Sequence, residues 1–507
     1  MKLTNETLKN KTFWTERGYR LPSFDRDDMI RKTCNEPAWI HFGAGNLFKA
    51  FQADACQRIL DKGLTDKGLI AADRKEKKPE ENDNLTVKIT LKADGTTEKA
   101  VIGSIAEKVY LYGNEDRLKE IFEAPSLQMV SFTITEKGYA IKDPKGNLLP
   151  DIEADLKRMP DSTETYMGRM TSLLFARYIK NATPLAMVSM DNCSHNGDKL
   201  KAAILCFAEA FGDKGFINWL SAKVSFPWSM IDKITPGPDA SIAKLLSDDG
   251  LDKDTPFVNA EEREYLVIED DFPNGRPCLE KAGIYFTDRD TVDKVERMKV
   301  CTCLNPLHTT LAVFGCLLGY DRISDEMKDA DLRKLVENVG YKEGLPVVTD
   351  PGIISPKEFI NTVINERIPN PFMPDTPYRI ATDTSQKLSI RFGETVKAYM
   401  KSDTLKVSDL KFIPLVYAGW LRYLMAVDDE GNAFTPSPDP LLETSQAQLS
   451  GMKLGDEPDI QKLEKFLRNE TVFGVDLVEA GLSDMIIRYF GEMSKGVGAV
   501  RHVIEAL

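Results

Sequence analysis

The stretch MKVCTCLNPLH at residues 298–308 offers two kinds of chemistry. Its two cysteines and its histidine are potential metal ligands. Zinc sites usually space cysteines as C-x₂₋₄-C and need four ligands, or three and a water. Cys301-x-Cys303 is tighter than that, and the chain has only four histidines. The spacing therefore predicts no metal site, and it favours cysteines that pack against apolar neighbours.

The lysine of the same stretch offers acid–base chemistry. Removing a hydride from a C–H bond requires loss of the neighbouring hydroxyl proton, so a base must lie within hydrogen-bond reach of that oxygen. A lysine serves as this base when partial burial lowers its pKa toward neutrality. Lys299 is the candidate, and its ammonium form would return the proton in the reverse reaction. The alternative, a surface charge ahead of a helix, stays open.

The surrounding pattern predicts an α/β half followed by a helical half. A chain of 507 residues is too long for one ordinary core, so two domains are expected, 1–290 and 291–507. Buried strands are predicted at WIHFG, GLIAA, MVSFTI and LAMVSM. Helices are predicted later, at TLAVFGCLLGY, PKEFINTVINE, KFIPLVYAGWLRYLMAV and VDLVEAGLSDMIIRYF. The polar stretch 73–83 and the proline-rich stretch 369–377 are predicted loops.

A glycine turn joins the first buried strand to a helix in WIHFGAGNLFKAFQADACQRIL. Gly43-x-Gly45 is similar to the first part of a dinucleotide-binding fingerprint. There the first glycine permits a tight turn and the second lets a pyrophosphate approach the helix N-terminus. Phe48 occupies the position of the third glycine. An ordinary strand-to-helix turn remains the alternative.

The next strand, GLIAADR, ends in an acidic residue. Asp73 could accept hydrogen bonds from an adenosine ribose, which favours NAD as the cofactor. Arg74 and Lys75 follow directly and could meet a 2′-phosphate, so NADP is possible.

Seven further segments follow one another along most of the chain: HFGAGNLFKAFQ (41–52), TITEKGY (133–139), MDNCSHNG (190–197), FPWSMIDKITP (226–236), VIEDDFPNGRPCLEKAG (267–283), LNPLH (304–308) and RIATDTSQKL (379–388). Read together, they resemble the polyol-specific long-chain dehydrogenases, the mannitol dehydrogenase family. The resemblance implies an N-terminal Rossmann-type dinucleotide-binding domain, a mostly α-helical C-terminal domain and an active site between them. It also implies NAD(P)-dependent, metal-free oxidation of a secondary alcohol.

The resemblance also implies roles for individual residues. Asn192 and Asn305 would donate to the oxygen that gains negative charge, and His308 would orient the substrate hydroxyl, beside Lys299 as acid and base. Asparagine before proline is also typical of a helix N-cap, an alternative for Asn305. The implied cofactor contacts are Gly43, Gly45, Asn46, Leu47, Phe48, Asp73, Thr135 and Glu136.

The spacing of Lys299 departs from the family pattern. In the family pattern the lysine precedes the asparagine by five residues, whereas Lys299 precedes Asn305 by six. On a regular helix of about 100° per residue, Lys299 and His308 would face opposite sides. Either the helix begins near Asn305, which Pro306 favours, or a π-bulge takes up the extra residue. Lys294 is the alternative base.

Four further residues are implied substrate contacts: Arg379, Lys387, Ser229 and Asp232. Arginine and lysine suit a carboxylate, although sugar-alcohol enzymes of the family resemble the chain at these positions too. The expected reaction interconverts a keto-sugar acid and its aldonate, fructuronate and mannonate. Oxidation of a mannitol-type polyol, a non-catalytic dinucleotide-binding regulator and a zinc alcohol dehydrogenase are the alternatives.

Composition limits the partners. The net charge of −13 argues against a nucleic-acid surface, which needs a basic patch. The N-terminus lacks the pattern of a signal peptide, and no apolar run was found to approach the roughly 20 residues that span a bilayer. The prediction is a cytoplasmic protein without membrane partners, with reduced cysteines, a small-molecule substrate and a monomeric or small homo-oligomeric state.

Overall fold

The computed structural model describes residues 1–75, 82–143, 145–159 and 163–507. Within them the chain forms two units. The first comprises Met1–Lys92 and Thr96–Asp293, and the second comprises Ala93–Gly95 and Lys294–Leu507. The part of the polar stretch 73–83 that covers residues 76–81 lies outside the described residues.

Strands form in the first unit. In the described residues they are β1 (Tyr19–Arg20), β2 (Trp39–Phe42), β3 (Leu69–Asp73), β4 (Thr86–Leu91), β5 (Thr97–Ile102), β6 (Ile105–Tyr110), β7 (Met129–Phe132), β8 (Leu185–Ser189), β9 (Val224–Ser225), β10 (Ser229–Asp232), β11 (Phe257–Glu261), β12 (Tyr265–Glu269) and β13 (Tyr285–Thr287). The four runs predicted as buried strands are β2, β3, β7 and β8.

A six-stranded parallel sheet organises this unit, in the order β6-β3-β2-β7-β8-β9. Renumbered along the chain, this is the 3-2-1-4-5-6 order of a Rossmann fold. The strand order reverses between β2 and β7, and ligands of such sheets bind at the carboxyl ends beside that reversal. The Rossmann-type fold predicted for the N-terminal half is therefore confirmed.

The sheet is buried on both faces because successive side chains point to opposite sides. Ile40 and Phe42 belong to one apolar cluster, together with residues of the helices that cover that face. Trp39 belongs to a second cluster, with Phe51 and Ile59 from the helical segment after the glycine turn.

Two smaller sheets accompany the main one. β1, β5, β4 and β11 form a mixed four-stranded sheet, and β10, β12 and β13 form a mixed three-stranded sheet. The helices up to residue 298 are α1 (Asn5–Leu8), α2 (Lys11–Glu16), α3 (Arg26–Asn35), α4 (Ala53–Asp61), α5 (Glu115–Glu123), α6 (Pro150–Leu156), α7 (Tyr166–Lys180), α8 (Asn196–Phe211), α9 (Lys214–Lys223), α10 (Ala240–Asp248) and α11 (Arg289–Met298), with a π-helical segment Phe48–Gln52 and 3₁₀ turns Glu136–Tyr139 and Leu279–Ala282.

The second unit is helical, as predicted. Its α-helices are α12 (Asn305–Leu318), α13 (Ile323–Glu326), α14 (Ala330–Glu337), α15 (Pro356–Thr362), α16 (Pro377–Ala381), α17 (Thr384–Leu388), α18 (Glu394–Lys401), α19 (Phe412–Leu424), α20 (Leu442–Ala447), α21 (Ile460–Leu467), α22 (Glu470–Phe473), α23 (Ser483–Met493) and α24 (Ala499–Glu505). π-helical segments cover Lys299–Cys303, Asn338–Gly344, Val363–Arg367 and Ser389–Gly393, and 3₁₀ turns cover Leu345–Val347 and Val407–Asp409.

Helices α12 and α19 form the centre of this unit. Both are apolar around almost their whole circumference, which is typical of a helix surrounded by others. Helix α12 packs against α16 and α19, and α19 packs against α23.

Two expectations about helices need correction. Residues 475–490 do not form one helix: 476–482 form turns, and only Ser483–Met493 is helical. Asp476 accepts from the amides of Val478 and Glu479, and Gly481 adopts φ +76°, so the turn competes with a helix there.

The helical run Arg289–Leu318 is long and apolar enough to span a bilayer, contrary to the sequence analysis. However, 78% of the apolar 18-residue window within this run is buried inside the structure, as expected for a helix in the core of a folded protein.

Candidate active site

The glycine turn after β2 lies at the carboxyl edge of the sheet, where the strand order reverses. Gly43 has φ +97°, and a Cβ built there would lie 2.1 Å from the carbonyl oxygen of Thr133. Only glycine fits this approach of two backbones. At Gly45 an added Cβ meets nothing within 4 Å, so the turn leaves open space beside it. A dinucleotide pyrophosphate requires such a space.

The helix that follows has its first i→i−4 hydrogen bond from Lys49 N–H to Gly45 O, at 3.1 Å. The amides of Asn46, Leu47 and Phe48 precede that bond and belong to the N-terminal turn, which attracts anions. The side chain of Phe48 is fully buried and stacks on His41 at 4.5 Å between centroids. Of Phe48, therefore, only the backbone could meet a cofactor.

The side chain of His41 on β2 forms hydrogen bonds with Ser131 on β7 and with Thr133 directly after it, beside the glycine turn. Its Nδ1 lies 2.7 Å from Ser131 Oγ and its Nε2 lies 2.9 Å from Thr133 Oγ1. Thr133 uses its own hydroxyl hydrogen on the carbonyl oxygen of Gly43, so His41 Nε2 must donate and Nδ1 must accept. Burial lowers the pKa of His41 to about 3, and the ring stays neutral. No sequence pattern predicted a role for this residue.

Asp73 ends the neighbouring strand and is tied to the turn. Its Oδ1 accepts the amide hydrogen of Ala44 at 3.0 Å, and its Oδ2 lies 4.0 Å from Lys108 Nζ. Gly43, Asp73 and Thr135 line one cavity of about 820 Å³ in the first unit. An acid at the end of this strand, a glycine turn with open space and a cavity between them fit a dinucleotide.

The cavity also contains residues that the sequence analysis did not assign. Tyr166 lies in its wall, and burial raises the pKa of the phenol well above its ordinary value. Arg158 lines it too, with its guanidinium paired to Glu164 at 2.9 Å. Arg74, another lining residue, has its guanidinium carbon 5.6 Å from the ring centre of Tyr112.

A buried carboxylate shapes the loop after β7. Asp191 Oδ1 accepts the amide hydrogen of Thr135 at 2.8 Å, and Oδ2 accepts the amide hydrogen of Ile134 at 3.0 Å and the hydroxyl hydrogen of Tyr139. Thr135 has φ +65°, a strained conformation for a β-branched residue. Burial raises the pKa of Asp191, while the bond from Tyr139 opposes that shift. Asp191 was missed, although it stands beside the predicted Asn192.

The predicted residue Glu136 differs from its neighbours on this loop. The carboxylate of Glu136 forms an ion pair with Lys199, whereas its neighbours Thr135, Lys137 and Gly138 line the cavity. The prediction that Glu136 contacts the cofactor stays untested.

Asn192 lies three residues beyond β8, and its side chain is exposed. Nearby, Asn196 is buried: its amide donates to Asp191 O at 3.0 Å and to Ser229 Oγ at 3.0 Å. Ser229 Oγ donates to Ser189 O at 2.6 Å, so this hydroxyl joins β10 to β8. Asp232, at the other end of β10, is also buried. Substrate contact by Ser229 and Asp232 stays a prediction, and Ser229 has a clear framework role beside it.

In the second unit, Lys299 begins the π-helical segment Lys299–Cys303 and is buried, at 4% exposure. The amide of Leu304 donates to Lys299 O at 3.1 Å, an i→i−5 bond. Helix α12 then begins at Asn305. The structure therefore contains both of the arrangements predicted for the extra residue: a π-turn, and a new helix that begins at Asn305. Burial of Lys299 contradicts the alternative of a surface charge.

Asn305, His308 and Thr309 share one face of α12, at the i, i+3 and i+4 positions. The cap residue of α12 is Leu304, and no side chain provides the cap hydrogen bond. The alternative that Asn305 caps its own helix is therefore wrong. Both Asn305 and His308 are partly buried.

The predicted pair Arg379 and Lys387 has two different environments. Arg379 forms an ion pair with Asp375 and is exposed. Lys387 is partly buried and donates to the carbonyl oxygens of Ile380, at 3.3 Å, and Thr382. Burial, together with the charge of Arg391, lowers the pKa of Lys387 to about 8. Arg391 was missed by the sequence analysis.

The cysteines behave as apolar residues. Cys303 is buried, which raises the pKa of its thiol to about 12, and its Sγ lies 3.8 Å from Pro356 O. Over the described ranges, no three histidine, cysteine or acidic side chains form a group that could hold a metal ion.

The chain matches two family domains along most of its length. Residues 37–281 match the mannitol dehydrogenase Rossmann domain, and residues 291–493 match the mannitol dehydrogenase C-terminal domain. The chain belongs to the mannitol dehydrogenase family. It is an oxidoreductase of that family, and its first unit has a site that fits a dinucleotide.

Individual relatives cover the whole chain. A D-mannonate oxidoreductase of Thermotoga maritima is 48% identical over 100% of this chain and 98% of the relative. A D-sorbitol dehydrogenase in substrate-free form has a TM-score of 0.84 at 26% identity, over 99% of this chain and 100% of the other. A Pseudomonas fluorescens mannitol 2-dehydrogenase, in a ternary complex with NAD and D-mannitol, has a TM-score of 0.72 at 27% identity, over 100% of both.

Proposed function

We propose that this protein interconverts a keto-sugar acid and its aldonate, with fructuronate and mannonate as the leading pair. The observation that carries the proposal is the 48% identity, along the full chain, to a protein named D-mannonate oxidoreductase. A second candidate is oxidation of a polyol, because the similar solved structures are a D-sorbitol dehydrogenase and a mannitol 2-dehydrogenase bound to D-mannitol.

A nicotinamide dinucleotide, held by the glycine turn and the cavity beside Asp73, would supply or accept the hydride. In the oxidation direction, the amine of Lys299 takes the proton from the substrate hydroxyl while the carbon loses hydride. Asn192 and Asn305 donate amide hydrogens to the oxygen that carries developing charge, and they do so without losing a proton themselves. His308 orients the same hydroxyl. In reduction, the ammonium of Lys299 returns the proton to the new alcohol. No metal takes part in the proposed reaction.

We propose NAD over NADP as the cofactor. The support is Asp73, whose carboxylate is fixed by the amide of Ala44 on the wall of the cavity and would repel a 2′-phosphate. Arg74 also lines the cavity and would favour NADP if it turned toward the ribose.

The decisive experiment is a substrate panel. Purified protein is incubated with NADH or NADPH and with fructuronate, tagaturonate, fructose or sorbose, and absorbance at the nicotinamide band is followed. The proposal expects turnover of fructuronate, with NADH preferred. Turnover of fructose without fructuronate would establish the polyol reaction, and dinucleotide binding without any turnover would favour a regulator. EDTA is expected to leave the rate unchanged, whereas EDTA-sensitive activity with stoichiometric zinc would overturn the metal-free mechanism. A cytoplasmic location and a monomeric or small oligomeric state stay predictions.

A further inference from the structure

Arg391 lies in the π-helical segment Ser389–Gly393, against the N-terminal part of α12. Its Nη1 donates to Thr309 Oγ1 and, at 3.4 Å, to the carbonyl oxygen of Asn305. Thr309 and Asn305 belong to the helix face that also carries His308. The guanidinium is therefore fixed beside the residues proposed to handle the reacting oxygen.

This guanidinium has no acidic partner in the part of the chain that the structure describes. Its hydrogen bonds go to neutral oxygens, and burial alone lowers its pKa, to about 10. Arg379 in the same unit shows the contrast, since it forms an ion pair with Asp375. Desolvating a cation without an anion is unfavourable, so an anionic ligand beside Arg391 would complete the pair.

A second cation lies near the first. Lys387 is four residues earlier on the same helical run, and the charge of Arg391 disfavours its protonated form. Lys387 donates to the carbonyl oxygens of Ile380 and Thr382, which fixes the ammonium in place. An ammonium has three hydrogens, so one is left for a ligand. Two fixed cations that repel each other favour a bound anion.

We propose that Arg391, with Lys387, binds the carboxylate of a sugar-acid substrate, and that Arg391 determines the preference for acids over neutral polyols. A carboxylate accepts two parallel N–H bonds from a guanidinium, which Lys387 as a single point charge cannot offer. This inference rests on the proposed function, and it names the group by which the site recognises its substrate.

The test compares an acidic and a neutral substrate in Arg391→Gln. The ratio of kcat/KM for fructuronate to kcat/KM for fructose is expected to fall roughly 10- to 100-fold, the value of one charged hydrogen-bonded contact. The loss should appear mainly in KM for fructuronate. Arg391→Lys should restore part of the ratio because it keeps the charge. Arg333→Gln, which removes a surface ion pair with Glu337 in the same unit, is the matched control and should keep the wild-type ratio. An equal loss on both substrates would overturn the inference.

Binding measurements separate this inference from the proposed reaction. If the wild-type protein turns over no keto-sugar acid, the proposed function fails, and the dissociation constants of D-mannonate and D-mannitol are measured by calorimetry with NADH present. Weaker binding of mannonate, but not of mannitol, in Arg391→Gln would still support the carboxylate site. Unchanged mannonate affinity, or no mannonate binding by the wild type, would overturn it. Lys387→Gln repeats the test if Arg391→Gln does not fold.

Discussion

Buried charges at the sheet edge of the first unit and beside α12 in the second unit have different partners. In the first unit the charges at the sheet edge are acids, and backbone amides hold them: Asp73 binds Ala44, and Asp191 binds Ile134 and Thr135. In the second unit the buried charges beside α12 are cations. There Lys387 and Arg391 donate to neutral oxygens, and among the residues described neither forms an ion pair with a carboxylate.

The difference shows what each set of charges does. An acid that accepts backbone amide hydrogens fixes the path of the backbone, so Asp73 and Asp191 shape the surroundings of the cavity that fits a dinucleotide. Lys387 and Arg391 donate to neutral oxygens, so an anionic ligand would supply the opposite charge that these oxygens do not. Substitutions of Asp73 and Asp191 should therefore alter cofactor binding and stability, and those of Lys387 and Arg391 should alter substrate specificity.

The largest expected effect is that of Lys299→Ala. Loss of the proposed base should lower kcat by about 10³-fold or more, while the dissociation constant of NADH stays near the wild-type value. Steady-state rates and fluorescence titration with NADH measure the two quantities. Lys294→Ala is the matched control. If that variant loses the activity and Lys299→Ala does not, the base is Lys294.

Asn192→Ala tests whether the first unit also contributes to chemistry. Removing one donor to the developing oxyanion should lower kcat by roughly 10²–10³-fold, with a smaller change in KM for the cofactor. Cys193→Ala, at the next position, should retain most activity. A twofold loss in Asn192→Ala would make this residue part of the turn after β8.

Asp191→Asn tests whether the loop that contains Thr135 positions the cofactor. The substitution replaces one carboxylate oxygen by an NH₂ group, which cannot accept a hydrogen bond. The backbone amide of Ile134 or of Thr135 then loses its acceptor, which should lower the free energy of unfolding by about 1–3 kcal/mol. We expect a rise of about tenfold in KM for the dinucleotide and a lower Tm. Tyr139→Phe removes only the hydroxyl donor, so it should raise KM for the dinucleotide and lower Tm by smaller amounts. Unchanged KM would show that the Thr135 loop does not position the cofactor.

The smallest effect concerns Glu326 on α13, a buried acid of the second unit. Neither carboxyl oxygen has a hydrogen-bond partner among the described residues, and burial raises the pKa well above its ordinary value. A Cβ on Gly315 would lie 2.3 Å from Oε1, so this glycine makes room for the carboxyl group. The folded state therefore retains the proton, which the unfolded chain releases near pH 4.5.

The sign of the pH dependence follows. The contribution of Glu326 to stability is complete below about pH 4.5 and is lost as the pH rises toward its folded pKa. Glu326→Gln should thus match the wild type at pH 4.5 and exceed it by roughly 1–3 kcal/mol at pH 8, at up to about 1.4 kcal/mol per pH unit. Urea unfolding at both values measures this, with the exposed Glu505→Gln as control. Equal stabilities at pH 8 would contradict a raised pKa.

The sequence predicted those features that local patterns determine. Strands β2, β3, β7 and β8 contain continuous apolar runs; the glycine turn follows β2 directly, and Asp73 ends β3. The spacing of Lys299 to Asn305 also predicted the irregular turn between them. Asp191, Arg391 and Glu326 escaped because their roles depend on residues far away in sequence: Asp191 binds residues 134, 135 and 139, and Arg391 binds 305 and 309.

The turn at Lys299–Cys303 bears on how such a site can change between relatives. A π-turn forms when a helix accommodates one inserted residue, since the extra unit is absorbed by a longer ring, here from Leu304 N–H to Lys299 O. Gaining or losing that residue turns the lysine about the helix axis while α12 keeps its place in the core. Insertion or deletion of a single residue can thus change the direction in which the amine points, and so suit a substrate of another shape, while the surrounding fold stays the same.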